Sequence, residues 1–139
     1  MNIQVVNNRV INLENVSTIK VDEVKERIYF NMNFAIQNSN GTYIQDYVYV
    51  KNTEDTLNSI INNLNTCAGF IKYDKNKWVN LKQISSMKYD KESKRIIMNL
   101  SNPHTYEFQH GSKVLAEFIY MENVTEDDFL RITNIIRGL

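Results

Sequence analysis

Lysines and aromatic residues interleave through residues 72–95. Lys72, Lys75, Lys77, Lys82, Lys88, Lys91, Lys94 and Arg95 surround Tyr73, Trp78 and Tyr89 in "IKYDKNKW" (71–78) and "MKYDKESKR" (87–95). Ammonium groups neutralise phosphates, and an aromatic face stacks on an unpaired base for about 1–3 kcal/mol per base. The mixture suits a surface that holds a single strand of nucleic acid. Arg27 and Tyr29 extend it from the polar side of "RIYFNMNFAI" (27–36), and Tyr47, Tyr49 and Tyr120 are placed to join from a neighbouring strand.

Charge is uneven along the chain. Residues 69–101 hold those eight basic groups against three acids (Asp74, Asp90, Glu92), a net of +5. Residues 1–33 are neutral, 34–68 carry −2 and 102–139 carry −3. The whole chain balances sixteen basic against sixteen acidic groups. That excludes a basic or acidic tail. A pI near 6.7 weighs against strong nonspecific DNA binding.

Other residue types that could do chemistry fall short. His104 and His110 share strand parity if 104–110 stays extended, with Glu107 between them, but they do not complete a metal-ligand set. Cys67 has no nearby histidine or cation to activate it, and reads as a buried or incidental thiol. The acids of "TEDD" (125–128) complement the positive end of a helix. Four glycines, at 41, 69, 111 and 138, form no phosphate loop. No catalytic, cofactor or metal site follows, and no enzyme is expected.

The elements that position these residues repeat. A shift of 68 lays Arg9–Asn33 over Lys77–Ser101 without a gap, with eight identities in 25 positions. They are Asn12/Asn80, Leu13/Leu81, Ser17/Ser85, Lys20/Lys88, Asp22/Asp90, Arg27/Arg95, Ile28/Ile96 and Asn31/Asn99. Further on, "DYVYVKNTED" (46–55) answers "EFIYMENVTED" (117–127) at an offset of 71 to 72. Fixed-period self-similarity marks a duplicated structural unit. Repeat 1 spans 1–67 and repeat 2 spans 68–139.

Within one unit, "IQVV" (3–6) and "VSTIKV" (16–21) read as strands. Residues 27–36 alternate with period two, and "TYIQDYVYV" (42–50) returns after the "NSNG" turn. Asn52 or Thr53 caps a helix whose face is Leu57, Ile60, Ile61 and Leu64. Repeat 2 ends likewise on Phe129, Ile132, Ile135 and Ile136, with Arg137 in the last turn. Pro103 should interrupt the third strand of repeat 2 as a bulge or edge, with "HGSK" (110–113) as its turn. The expected fold is α+β: an internally duplicated ββββα-ββββα chain with two antiparallel sheets and two helices. Two such units can cover each other's apolar stripes, so a pseudo-twofold single domain is expected.

Tandem ββββα units resemble the PUR-type and Whirly-type nucleic-acid-binding architecture. The resemblance is one of topology and covers the whole chain. In those families two curved sheets enclose the helices, and the sheet surface binds single-stranded DNA or RNA. The resemblance implies the same partner here, and transfers no site residue. Between repeats, Glu14, Glu23 and Glu26 correspond to Lys82, Lys91 and Lys94, and Val10 to Trp78. Repeat 2 is thus the expected ligand-facing half.

The rival is a protein-interaction module, an inhibitor or adaptor of a phage or mobile element, favoured by neutrality and many Asn and Tyr. A pleckstrin-like barrel is disfavoured by the mid-chain helix. With no ~18-residue apolar run, no membrane partner is expected. The start "MNIQVVNNRV" lacks the pattern of a signal peptide, which with a single cysteine suggests a cytoplasmic setting. Strand edges in both halves make a homodimer an expectation.

Overall fold

A computed structural model describes residues 2–37, 39, 41, 43–67, 69–101, 104–108, 111–115 and 118–139. The chain is α+β, with two helices and several antiparallel sheets. Strands β1 (Ile3–Val6), β2 (Arg9–Asn12), β3 (Val16–Asp22), β4 (Arg27–Gln37) and β5 (Tyr43–Lys51) precede helix α1 (Glu54–Thr66). Then come β6 (Phe70–Asp74), β7 (Lys77–Asn80), β8 (Ile84–Asp90), β9 (Arg95–Leu100), β10 (His104–Phe108), β11 (Gly111–Leu115) and β12 (Phe118–Met121). Helix α2 (Glu126–Arg137) closes the chain. Short 3-10 turns at Leu13–Asn15 and Leu81–Gln83 lead into β3 and β8.

Among the described residues five strands precede the first helix, where four were expected. The extra one, β2, folds back on β1 through a turn in which Asn7 takes φ 55°. Asparagine tolerates that left-handed conformation. Four residues are too few to display a period. The sheets number four among the described residues: β5-β4-β3-β7-β6, β12-β9-β8, and the hairpins β1-β2 and β10-β11. Strand β9 stops at Leu100, and β10 pairs with β11 instead of continuing it. Gly111–Ser112–Lys113, expected in a turn, lie in β11. Gly41 takes φ 85°, the conformation its turn required. Asn38, Asn40, Pro103 and His110 lie outside the described residues, as do the side chains of His104 and Glu107.

The chain forms two compact units. The first comprises Met1–Met32 with Tyr47–Asn80, and the second Asn33–Asp46 with Leu81–Leu139. In the first, Leu13, Val16, Ile19, Ile28 and Phe30 pack with Ile60 and Leu64 of α1. Each large apolar side chain fully buried in this way contributes about 1.5–3 kcal/mol. In the second, Ile96, Met98, Leu100, Ile119 and Ile132 are buried. The alternation of 27–36 holds for Ile28, Phe30 and Met32, but Phe34 is 45% exposed.

The residues identical between repeats do local backbone work. Ser17 and Ser85 sit where β3 and β8 bulge, and each hydroxyl donates to the carbonyl of Asn31 or Asn99 at 3.1 Å. Those asparagines donate from Nδ2 to Thr18 Oγ1 at 2.9 Å and to Ser86 Oγ at 2.7 Å. Asp22 accepts from the Lys25 N–H, and Asp90 from Glu92 and Ser93, closing the turns after β3 and β8. Those turns end on Glu26 at φ 54° and Lys94 at φ 52°. Both helices are capped by threonine. Thr53 accepts from the Thr56 N–H, and Thr125 forms a reciprocal capping box with Asp128.

Candidate nucleic-acid interface

The strongest gathering of cations and aromatic rings lies on one face of the five-stranded sheet, in the first unit. Residues directly opposite in paired strands share a face. Lys20 of β3 stands opposite Tyr29 on one side and Lys77 on the other. Alternation puts Arg27 on that face with Tyr29. The Tyr29 ring lies 5.8 Å from both Tyr47 and Tyr49 of β5. Arg27 sits 4.2 Å over the Tyr49 ring, and its Nη1 donates to the Tyr29 hydroxyl at 3.5 Å. That hydrogen bond raises the guanidinium pKa above its ordinary value. Tyr47 and Tyr49 remain 49% and 45% exposed.

Beside these rings runs a groove of about 500 Å³ whose walls include Lys20, Tyr29, Lys75 and Lys77. Asp22 and Glu23 also line it, so its charge is mixed. Lys77 reaches Asp74 at 3.7 Å, an exposed pair of small energetic weight. Asn76 Nδ2 holds Glu23 at 2.9 Å. The face therefore presents Tyr29, Tyr47 and Tyr49 with Arg27, Lys20 and Lys77, while Lys75, Asp22 and Glu23 line the groove beside them.

The basic stretch 72–95 is divided. Lys72, Tyr73, Lys75, Lys77 and Trp78 belong to the first unit, and Lys82, Lys88, Tyr89, Lys91, Lys94 and Arg95 to the second. Trp78 is 7% exposed and packs in the first core opposite Ile19, so its faces are not open to a base. Lys72 shares that side of the sheet, 5.4 Å over the indole, away from the tyrosines. Tyr73 is half-buried on β6. In the second unit Tyr89 stacks on Phe129 of α2 at 5.9 Å, which turns it from the face that carries Lys88. Lys82, Lys91 and Lys94 are exposed in turns. Ser93, through its hydroxyl first and its N–H second, holds the Asp90 carboxyl below the usual range. An anion therefore persists among those turn lysines.

The corresponding face of the second unit is weaker. Lys88, Ile97 and Tyr120 stand abreast, and Arg95 lies 4.8 Å over Tyr120. Glu122 approaches Arg95 at 3.8 Å, and Arg95 Nε is buried with no hydrogen-bond partner among the described residues. Where the first unit has Tyr29 and Tyr47, this face has Ile97 and Phe118. Lys20 was missed by sequence reasoning. Its signal was the tight turn at 23–26, which pairs positions 20 and 29.

The chain matches no family model, and no curated protein or solved structure matches it either. No helix among the described residues is long and apolar enough to cross a membrane. Among the same residues no cluster of His, Cys, Asp and Glu could hold a metal ion. Cys67 is buried, within 3.6 Å of Asn63 Oδ1.

Proposed function

We propose that this protein is a non-enzymatic binding protein that holds single-stranded DNA or RNA on the tyrosine face of its five-stranded sheet. The observation that carries the reading is the juxtaposition of Tyr29, Tyr47 and Tyr49 with Arg27, Lys20 and Lys77 on one open surface. Rings at about 6 Å spacing suit successive unpaired bases, which every base can satisfy through its π-face. The flanking cations track the phosphates. Duplex DNA suits this surface poorly, because paired bases keep their faces stacked on one another.

The frame that carries this face is, in the same proposal, an internal duplication of a ββββα unit. The support is local: bulge, serine, asparagine, turn aspartate, positive-φ residue and threonine cap recur at offsets of 68 to 72. The pseudo-twofold single domain and the likeness to PUR-type and Whirly-type proteins belong with that proposal.

The test is a salt titration of binding to fluorescently labelled single-stranded oligonucleotides, with a duplex of the same length as control. Binding to the single strand that weakens with salt, at a slope of about −0.7 per phosphate neutralised, is expected. No binding at low salt, or equal affinity for the duplex, overturns the reading. A protein partner captured stoichiometrically after nuclease treatment would favour the interaction-module reading instead, with the same tyrosines facing protein.

A further inference from the structure

Arg27 differs in kind from the lysines of the tyrosine face. Its guanidinium carbon lies over the Tyr49 ring, 4.2 Å from the ring centre. Carbon atoms in contact lie about 3.5–4.0 Å apart, so no base can enter between the two. One end of the guanidinium is also held. Nη1 donates to the Tyr29 hydroxyl at 3.5 Å, a bond that favours the charged form. Arg27 and Tyr29 stand two residues apart on β4, and alternation puts both on one face. The cation is thus tethered at two points, and the plane of its guanidinium is set among the rings of Tyr29, Tyr47 and Tyr49.

The second repeat builds the same stack in other company. Arg95 lies 4.8 Å over Tyr120, and Glu122 approaches it at 3.8 Å. That carboxylate draws the guanidinium into an ion pair. At the place of Glu122 the first repeat has Lys51, which shares its side of β5 with Tyr49. Lys51 is itself a cation. It competes with Arg27 for a phosphate and cannot pair with it.

We propose that Arg27 is a stacking platform: an unpaired base lies on the guanidinium face turned away from Tyr49, with that ring behind it, while the lysines take the phosphates. An arginine plane stacks on a base as an aromatic ring does and adds a cation–π attraction. A lysine cannot replace it, because an ammonium is a point charge without a plane. The proposal rests on the reading of this face as a surface for single strands. It gives Arg27 a role there that charge alone does not fill.

The experiment uses the full chain and two probes of equal length. One is a single-stranded oligothymidine; the other is the same strand made of abasic sites, which keeps the phosphates and lacks the bases. Affinity and salt slope are measured on both for the parent chain, Arg27→Lys and Lys20→Gln. Arg27→Lys should lower oligothymidine affinity at least about fivefold and leave the salt slope unchanged. Its affinity for the abasic strand should change less than about twofold. Lys20→Gln is the reference for a phosphate contact and should flatten the slope by about 0.7 on both strands. The thermal melt of Arg27→Lys should match the parent's, since the charge and the aliphatic stem are kept. Oligothymidine binding by Arg27→Lys equal to the parent's overturns the proposal, and so does a loss of equal size on both strands. Neither result touches the binding reading, which the parent chain alone tests.

Discussion

Two arginines stand over tyrosines at corresponding places, and their surroundings part them. Arg27 lies 4.2 Å over Tyr49 on a strand that ends in Lys51, with Tyr29 and Tyr47 alongside. Arg95 lies 4.8 Å over Tyr120, but Glu122 stands where Lys51 would be and approaches it at 3.8 Å. Ile97 and Phe118 replace the other two tyrosines. The repeat richer in lysine thus carries the poorer face. Charge summed along a segment did not report charge gathered on a surface. Lys77 of repeat 2 reaches the tyrosine face, but Lys72 lies on the far side of the sheet and Lys82, Lys91 and Lys94 lie in turns of the second unit, while a neutral segment supplies Arg27 and Lys20.

The sharpest way to break the contrast is to remove its rings. Tyr49→Ala should cost about 1–3 kcal/mol of oligonucleotide affinity, roughly 5- to 150-fold. Tyr120→Ala should change affinity less than about twofold. Equal losses, measured by fluorescence anisotropy, would erase the difference between the faces.

Next in size is an effect on stability. Asn12 and Asn80 are identical in sequence and unequal in place. Asn80 is 1% exposed and donates from Nδ2 to Val16 O at 3.0 Å and Leu13 O at 3.4 Å. Asn12 is half-buried and accepts from the Glu14 N–H at 3.0 Å. Asn80→Ala removes the amide N–H from which Val16 O accepts, and a second donor from Leu13 O, which keeps the Val16 N–H, and should cost about 1–3 kcal/mol. Asn12→Ala should cost nearer about 1 kcal/mol, as a lost cap. Urea denaturation of the two variants measures the gap.

The helix caps give a smaller contrast with a pH signature. Asp128 is held below the ordinary carboxylate range, first by the Thr125 N–H and then by its hydroxyl. A depressed folded-state pKa contributes stability above the unfolded value, and that contribution is lost as pH falls through the folded value. Thr125→Ala should therefore cost about 1 kcal/mol near neutrality and less in acid. At the α1 cap, residue 56 is threonine where α2 has Asp128, so Thr53→Ala should cost about as much with no such acid dependence. Thermal melts at several pH values separate the two caps.

The smallest effect expected is a gain. Glu122→Gln removes the acid beside Arg95. It should steepen the salt slope of oligonucleotide binding by less than one phosphate equivalent and leave the melting temperature nearly unchanged, since the pair is exposed.

Much of the frame was legible because its signals are local. The β4 alternation from Ile28 to Met32, the Leu57–Ile60–Ile61–Leu64 stripe and the Thr-Glu-Asp helix starts need only neighbours in sequence, and each is seen. Strand β2 was not legible, at four residues. The pairing of β7 with β3 was not legible either, because it joins residues about sixty apart and depends on which strand edge is free. The placement of the expected site residues follows from that pairing. It buries Trp78 against Ile19 and carries Lys77 to Lys20 and Tyr29. Aromatic residues among lysines look alike in sequence whether they face solvent, as Tyr49 does, or a helix, as Tyr89 does.

Backbone amide shift mapping by NMR of the isotopically labelled full chain with a short unlabelled oligothymidine tests the central claim most directly. The account predicts that shifts concentrate at Lys20, Arg27, Tyr29, Tyr47, Tyr49 and Lys77, and fade as salt is raised. Shifts centred on Lys88, Arg95 and Tyr120, or no shifts at low salt, would contradict it.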